Sequence, residues 1–218
     1  MIPIICVVGP SNSGKTTFLE KLIPELSRRG YRVGTVKHDV HGFEMDKEGK
    51  DTWKHRKAGA QTVAISSPSM VASIRSTDGE MDLDELVGRY FWREDILIAE
   101  GYKRSHYPKI EIYRSVVGPE PLCGPQDNLA AVISDDEVRT EVPRFGFDQA
   151  EKVADLIEER YLKGRKKHRA MVQLDGKRFP LNEFVRDFFT ASVVGMLSSL
   201  RGWEKPRKID IHLILEDD

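Results

Sequence analysis

The chain has 218 residues, 39% apolar and 32% charged, with 34 basic residues against 35 acidic ones. That balance suits a folded globular protein and excludes wholesale disorder, and a net charge of -1 supplies no global field for nucleic acid or an anionic membrane surface. The two cysteines, Cys6 and Cys123, form neither a metal-binding spacing nor a disulfide framework.

The apolar, β-branched stretch from Ile2 to Val8 reads as a buried parallel strand rather than a signal peptide. With no apolar run long enough to cross a bilayer, a cytoplasmic protein is expected. Gly9-Pro10-Ser11-Asn12-Ser13-Gly14-Lys15-Thr16 follows at once and is a complete G-x-x-x-x-G-K-[ST] phosphate-binding loop. Glycines let the backbone curl so that successive N–H groups and a helix N-terminus face one anion. Lys15 is placed to reach β- and γ-phosphates, and the Thr16 hydroxyl to take a position on Mg²⁺. The helix that follows should end at Arg28-Arg29-Gly30, with Pro24 predicting a kink.

Tyr31 to Lys37 reads as a second strand, completing a βαβ unit. The polar stretch from His38 to Asp51 is too charged for core and is expected to be a functional loop. It could sense a γ-phosphate and its metal through residues such as Asp51, or hold a transition metal on His38, Asp39 and His41, or be merely solvated. A short helix is expected over Trp53–Ala60, then strands over Thr62–Ser66 and Met70–Ile74, then a helix over Asp82–Trp92. Asp95 to Ala99 reads as another buried strand, ending in Glu100-Gly101. A carboxylate there faces the crevice where open α/β sheets bind ligands and can hold Mg²⁺ or its waters.

Lys109 to Arg114 alternates polar and apolar residues and is expected nearer the sheet edge. Leu129 to Ile133 is a buried strand ending in Ser134-Asp135-Asp136, where Asp135 or Asp136 could accept from the N1–H and amine of a guanine, or simply close a turn. A helix over Asp148–Leu162, with Asp148 and Glu151 as a capping box, closes the first domain. After the basic run Lys163–Arg169, a hairpin over Ala170–Phe179, a helix capped by Asn182 and a last strand over Ile209–Leu215 make a small unit. The expectation is therefore an α/β fold: a mostly parallel P-loop NTPase sheet flanked by helices over residues 1–163, with a small α+β appendage over 170–218.

Several motifs occur together and in order: Gly9 to Thr17, Val36-Lys37-His38, His41, Asp46, Gly49-Lys50-Asp51-Thr52, Arg56 to Ala60, and Glu100-Gly101-Tyr102-Lys103. Over roughly residues 2 to 162 the chain resembles the molybdopterin-guanine dinucleotide biosynthesis protein B (MobB) family. The resemblance implies a GTP-binding homodimer with weak GTPase activity. Such a protein assists the guanylyltransferase MobA, among other molybdenum-cofactor enzymes, in attaching GMP to molybdopterin, with neither nucleic acid nor membrane as partner. It also implies that Gly14, Lys15, Thr16 and Thr17 hold phosphates and Mg²⁺, with Glu100 as the acidic metal-side residue and Lys15 and Glu100 carrying any catalysis. Asp46, Lys50 and Asp51 would belong to a loop of variable conformation. Pro10 stands where deviant Walker motifs carry a second lysine, so activation across a dimer through that lysine is not available. The segment from Lys163 onward lies outside the resemblance's core, and dimerisation or docking to a partner enzyme is the hypothesis for it.

Two other functions remain open on the residues alone. A small-molecule kinase would use the same loop but needs an acceptor base and a lid of arginines, of which Arg104-Ser105-His106-Tyr107 is a thin version. A pure binding module would use the loop without useful turnover.

Overall fold

Strand β1 (Ile4–Val8) is buried at all five positions, as a strand covered on both faces must be. In the computed structural model, which describes residues 2–91, 93–164, 170, 172–174, 177–206, 209–211 and 213, it lies at the centre of the first of two units, residues 1–165 and 166–218. Chain order then gives α1 (Lys15–Arg28), β2 (Val33–Lys37), α2 (Asp51–Lys57), β3 (Thr62–Ser66), β4 (Val71–Arg75) and α3 (Leu83–Tyr90). After these come β5 (Ile96–Glu100), β6 (Lys109–Ile112), β7 (Leu129–Ile133), β8 (Arg144–Phe145) and α4 (Ala150–Ile157). A π-helical turn, Glu158–Leu162, prolongs α4.

Six strands pair in the order β2-β5-β1-β6-β7-β8, and every pairing is parallel. Side chains alternate across this sheet and divide the core in two. Ile5, Val7, Ile96, Ile98, Ile110 and Ile112 face Phe18, Leu22 and Leu26 of α1 and Val153, Ala154 and Ile157 of α4. Ile4, Cys6, Val8, Leu97 and Ala99 face Leu83 and Val87 of α3. Fully burying one such aliphatic or aromatic side chain contributes roughly 1.5–3 kcal/mol, so this two-sided filling is the main source of stability.

Helix α1 runs unbroken through Pro24 and ends as its sequence requires. Gly30 adopts φ +89°, while Gly30 N–H and Tyr31 N–H donate to the Ser27 and Leu26 carbonyls. These two bonds define a Schellman stop. Arg29 then ties α1 to α4, with ion pairs to Glu25, Asp155 and Glu158 at 2.7, 2.7 and 3.0 Å.

Three local expectations need correction, and one element was not foreseen. β6 is a central strand, paired on both sides, and Lys109 and Glu111 on it are buried. Lys109 Nζ donates to the carbonyls of Ser105, Tyr107 and Asp127, and Glu111 accepts from the Leu122 and Cys123 N–H groups. Polar residues thus sit inside because each finds partners. The short helix α2 begins at Asp51 rather than Trp53. Asp148 does not cap α4; Gln149 holds that position, and its side chain accepts from Gly146 N–H instead. The two-residue strand β8 has no sequence expectation behind it.

β3 and β4 form a separate antiparallel hairpin, with Ile65, Met70 and Val71 exposed. In the second unit, β9 (Val172–Leu174) and β10 (Lys177–Phe179) pair antiparallel. α5 (Glu183–Ser198) is capped by the Asn182 side chain, which accepts from Val185 N–H at 2.9 Å. None of α5's side chains is buried, and Phe184, Phe188 and Met196 stand well exposed. The expected last strand falls largely outside the described residues, as do Asp175 and Gly176 of the expected hairpin turn.

Candidate functional site

Parallel strands all end on one edge of the sheet, and that edge carries most of the residues singled out by sequence. The loop between β1 and α1 curls through left-handed backbone at Asn12 (φ 61°) and Gly14 (φ 96°), and Gly14 is the N-cap residue of α1. A Cβ on Gly9 would lie 2.6 Å from the Ile112 carbonyl oxygen, and one on Gly14 would lie 3.0 Å from the Phe147 ring. Only glycine fits either place. Ser13 Oγ is buried and has no hydrogen-bond partner among the described residues, while Ser11, Asn12, Thr16 and Thr17 are exposed.

Lys15 Nζ folds back to donate to the carbonyls of Gly9 and Pro10 at 2.9 and 2.7 Å. Partial burial pushes its pKa below the ordinary lysine value; the Glu100 carboxylate works against that shift and Lys37 adds to it. Thr16 Oγ1 stands 3.5 Å from Glu100 Oε2, and Lys37 Nζ 3.9 Å from Glu100 Oε1. Strand register explains the meeting: Glu100 is paired with Val7 of β1 on one side and with Lys37 of β2 on the other. Thr16, Glu20, Lys37 and Glu100 line a cavity of about 200 Å³ here. Lys37, which the sequence offers at the head of the loop after β2 and within the Val36-Lys37-His38 motif, stands here at the end of β2 beside Glu100.

The loop after β2 leans on β5 and on α2. His38 N–H donates to the Glu100 carbonyl at 3.0 Å. Its ring stacks on Tyr102 at 4.7 Å, and Nε2 pairs with Glu80 at 2.7 Å. Gly101, at φ +95°, brings the backbone close enough that a Cβ would sit 3.2 Å from His38 Cβ. Asp39 accepts from His41 N–H, and Asp46 accepts from Thr52 Oγ1 at 2.8 Å with Arg56 4.0 Å away. Asp46 thus clasps α2, which Asp51 opens with an exposed side chain. Among the described residues, no three His, Cys, Asp or Glu side chains gather as a metal site. His38 pairs with Glu80 instead, and Asp39 is taken up by the His41 backbone N–H.

On the other side of the loop, Asp135 Oδ1 accepts from Phe147 N–H at 3.1 Å. Asp135 also lines a polar cleft of about 500 Å³ with Arg144, Gln149 and Lys152. Asp136 is differently used: its carboxylate takes the Ser115 N–H at 2.6 Å, which holds its pKa below the usual range. Of the two aspartates, Asp135 is therefore the one that faces open space.

The family model of molybdopterin guanine dinucleotide synthesis protein B matches residues 4–135. The chain belongs to this family. A molybdopterin-guanine dinucleotide biosynthesis adapter protein of Escherichia coli is 36% identical over 164 residues, covering 73% of this chain and 93% of the relative. The crystal structure of Bacillus subtilis MobB superposes with a TM-score of 0.60 at 31% identity, covering 75% of this chain and all of that one. A putative adapter protein of Methanocaldococcus jannaschii is 26% identical over 240 residues, and that match covers 96% of this chain, so it extends into the second unit. The first unit is thus a P-loop NTPase-type α/β fold of the MobB family, whose relatives are named as adapters of molybdopterin-guanine dinucleotide biosynthesis. No helix among the described residues is long and apolar enough to cross a membrane.

Proposed function

We propose that this protein is a GTP-binding adapter that assists the attachment of GMP to molybdopterin, hydrolysing GTP slowly at most. The observation that carries the reading is the meeting of Thr16 and Glu100 beside the glycine-lined loop.

Several features fit a nucleotide with its metal. Glycines at 9 and 14 let the loop curl tightly against Ile112 and Phe147, and the buried Ser13 hydroxyl has no partner among the described residues. The backbone N–H groups at the start of α1 would hold phosphate oxygens. Lys15 would exchange the Gly9 and Pro10 carbonyls for the β- and γ-phosphates. Thr16 and Glu100 present a hydroxyl and a carboxylate oxygen, the hard oxygen ligands that Mg²⁺ takes. Mg²⁺ would neutralise charge on the terminal phosphates. Lys37, beside Glu100, would add a second cation on the γ-phosphate side. The Asp135 carboxylate is suited to guanine, whose N1–H and amine are donors, and Gln149 and Lys152 could donate to the 6-oxo group.

Among the described residues lining the Thr16–Glu100 cavity no histidine stands ready as a water-activating base, so turnover is expected to be slow. Adapter work then consists of presenting a nucleotide or a conformation to the guanylyltransferase MobA. The expected homodimer has an apolar hairpin surface at Ile65, Met70 and Val71 to draw on.

The test is a coupled assay. The protein, GTP and Mg²⁺ should release phosphate slowly alone and should accelerate molybdopterin guanylation when MobA and molybdopterin are added. Phosphoryl transfer from the nucleotide to an added small alcohol, with no effect on guanylation, would establish the kinase reading instead.

A further inference from the structure

Arg114 lies two residues beyond the end of β6, on the same edge of the sheet as the phosphate loop. Its guanidinium carbon stands 4.4 Å from the centre of the Phe147 ring. It also stands 4.0 Å from where a Cβ on Gly14 would be. The ring beneath it is held from three sides. Phe147 packs edge-on to Phe18 at 6.3 Å, its N–H donates to Asp135, and its carbonyl accepts from Lys21 Nζ at 3.0 Å. Arg114 is exposed, and among the described residues no carboxylate makes an ion pair with it, although its charge helps to lower the pKa of Asp136. An exposed cation resting on a core ring is only weakly held, so the guanidinium is positioned while its donors stay open to a ligand.

Strand order says what such a cation would meet. β6 lies between β1, which feeds the phosphate loop, and β7, which ends at Asp135. Glu100 and Lys37 lie on the opposite side of the loop, at the ends of β5 and β2. Neighbouring strands are about 4.8 Å apart, so β5 to β7 spans roughly 14 Å, the scale of an extended nucleoside triphosphate. A nucleotide with its terminal phosphates toward Glu100 and its base toward Asp135 must pass its α-phosphate and ribose beside Arg114.

We infer that Arg114 is a nucleotide-binding residue that grips the α-phosphate side of a guanosine nucleotide, with Phe147 as its platform. The inference rests on the nucleotide reading above. Arginine suits the task where lysine does not. Its planar guanidinium stacks on the ring with one face while its edge offers a fork of donors to phosphate oxygens. Gly14 is part of the same device, because any larger residue there would push into Phe147 and lift the platform.

The test is a calorimetric titration of the full chain with GDP and with GTP, on the wild type, Arg114→Ala and Arg114→Lys. Removing a charge-assisted hydrogen bond to phosphate should weaken binding by about tenfold or more. Because both nucleotides carry the α-phosphate, the factor should be alike for GDP and GTP, with Arg114→Lys losing less and the melting temperature without nucleotide unchanged. A loss confined to GTP would place Arg114 at the terminal phosphate and overturn the inference, as would unchanged affinity for both. If Arg114→Ala does not fold, Arg114→Lys carries the same GDP-to-GTP comparison. Wild type that binds neither nucleotide would overturn the nucleotide reading itself, an outcome distinct from wild type that binds while the variants bind equally well.

Discussion

Thr16 Oγ1 and Glu100 Oε2 lie 3.5 Å apart although 84 residues separate them in the chain. The register of β1 against β5 brings them together, since Val7 is paired with Glu100 and the phosphate loop begins two residues after Val7. If the pair holds Mg²⁺, Glu100→Gln should weaken Mg²⁺-dependent nucleotide binding roughly ten- to a hundredfold, the usual range when a metal site's carboxylate is disturbed. Binding measured in excess chelator should change little. Equal losses with and without Mg²⁺ would remove Glu100 from the metal side.

Gly14 should tolerate no side chain. Alanine there must adopt φ near +96° and place its Cβ 3.0 Å from the Phe147 ring. Left-handed backbone at a non-glycine residue costs about 1–3 kcal/mol. Gly14→Ala should therefore lower the denaturation midpoint and abolish nucleotide binding, whereas Gly79→Ala, with nothing within 4 Å of its Cβ, should do neither. Chemical denaturation with a binding assay on both variants checks this.

The protonation of Lys15 predicts the pH dependence of binding. Partial burial lowers its pKa in the free protein, against the pull of Glu100 and with the push of Lys37. Phosphates favour the charged form and should raise the pKa again. Binding on the alkaline side of neutrality must then take up protons, and affinity must fall as pH rises through that range. Calorimetry in buffers of different ionisation enthalpy reads the uptake directly, and Lys15→Met should remove it along with most of the affinity.

Acid stability should depend on the contact between α1 and α4. Hydrogen bonds from Arg28 and then Arg29 pull the Glu25 carboxyl down to about 2, and Tyr31 and then Arg29 lower Glu158. Both groups have folded pKa values below their unfolded ones, so their stabilising effect is present above the unfolded carboxylate pKa and is lost as pH falls toward about 2. The melting temperature should fall across that window, by a modest amount because both carboxylates are screened by solvent. Arg29→Leu should start lower at neutral pH and show a shallower acid decline, which thermal melts at a series of pH values would record.

The candidate site was legible in the chain wherever its chemistry is local. The octapeptide Gly9–Thr16 names its own loop, and Glu100 is marked by the apolar run Ile96–Ala99 ahead of it. The Gly30 stop of α1 and the Asn182 cap of α5 are likewise decided by adjacent residues. What escaped depends on distant partners. Lys109 and Glu111 alternate like an edge strand, and only carbonyls and N–H groups contributed by segments outside their own strand allow them inside. Asp46 reads as a loop carboxylate, yet Thr52 and Arg56 hold it against α2. Arg114 and Phe147 meet across 33 positions of sequence, and nothing beside either residue announces it.

The central claim is guanine nucleotide binding at the loop, and the direct measurement is a calorimetric titration of the purified protein with GTP and with ATP, with and without Mg²⁺, alongside Lys15→Ala. Mg²⁺-enhanced binding of GTP, distinctly weaker binding of ATP, and no binding by the variant are the predicted results. ATP bound as tightly as GTP, or GTP bound undiminished by Lys15→Ala, would contradict the claim.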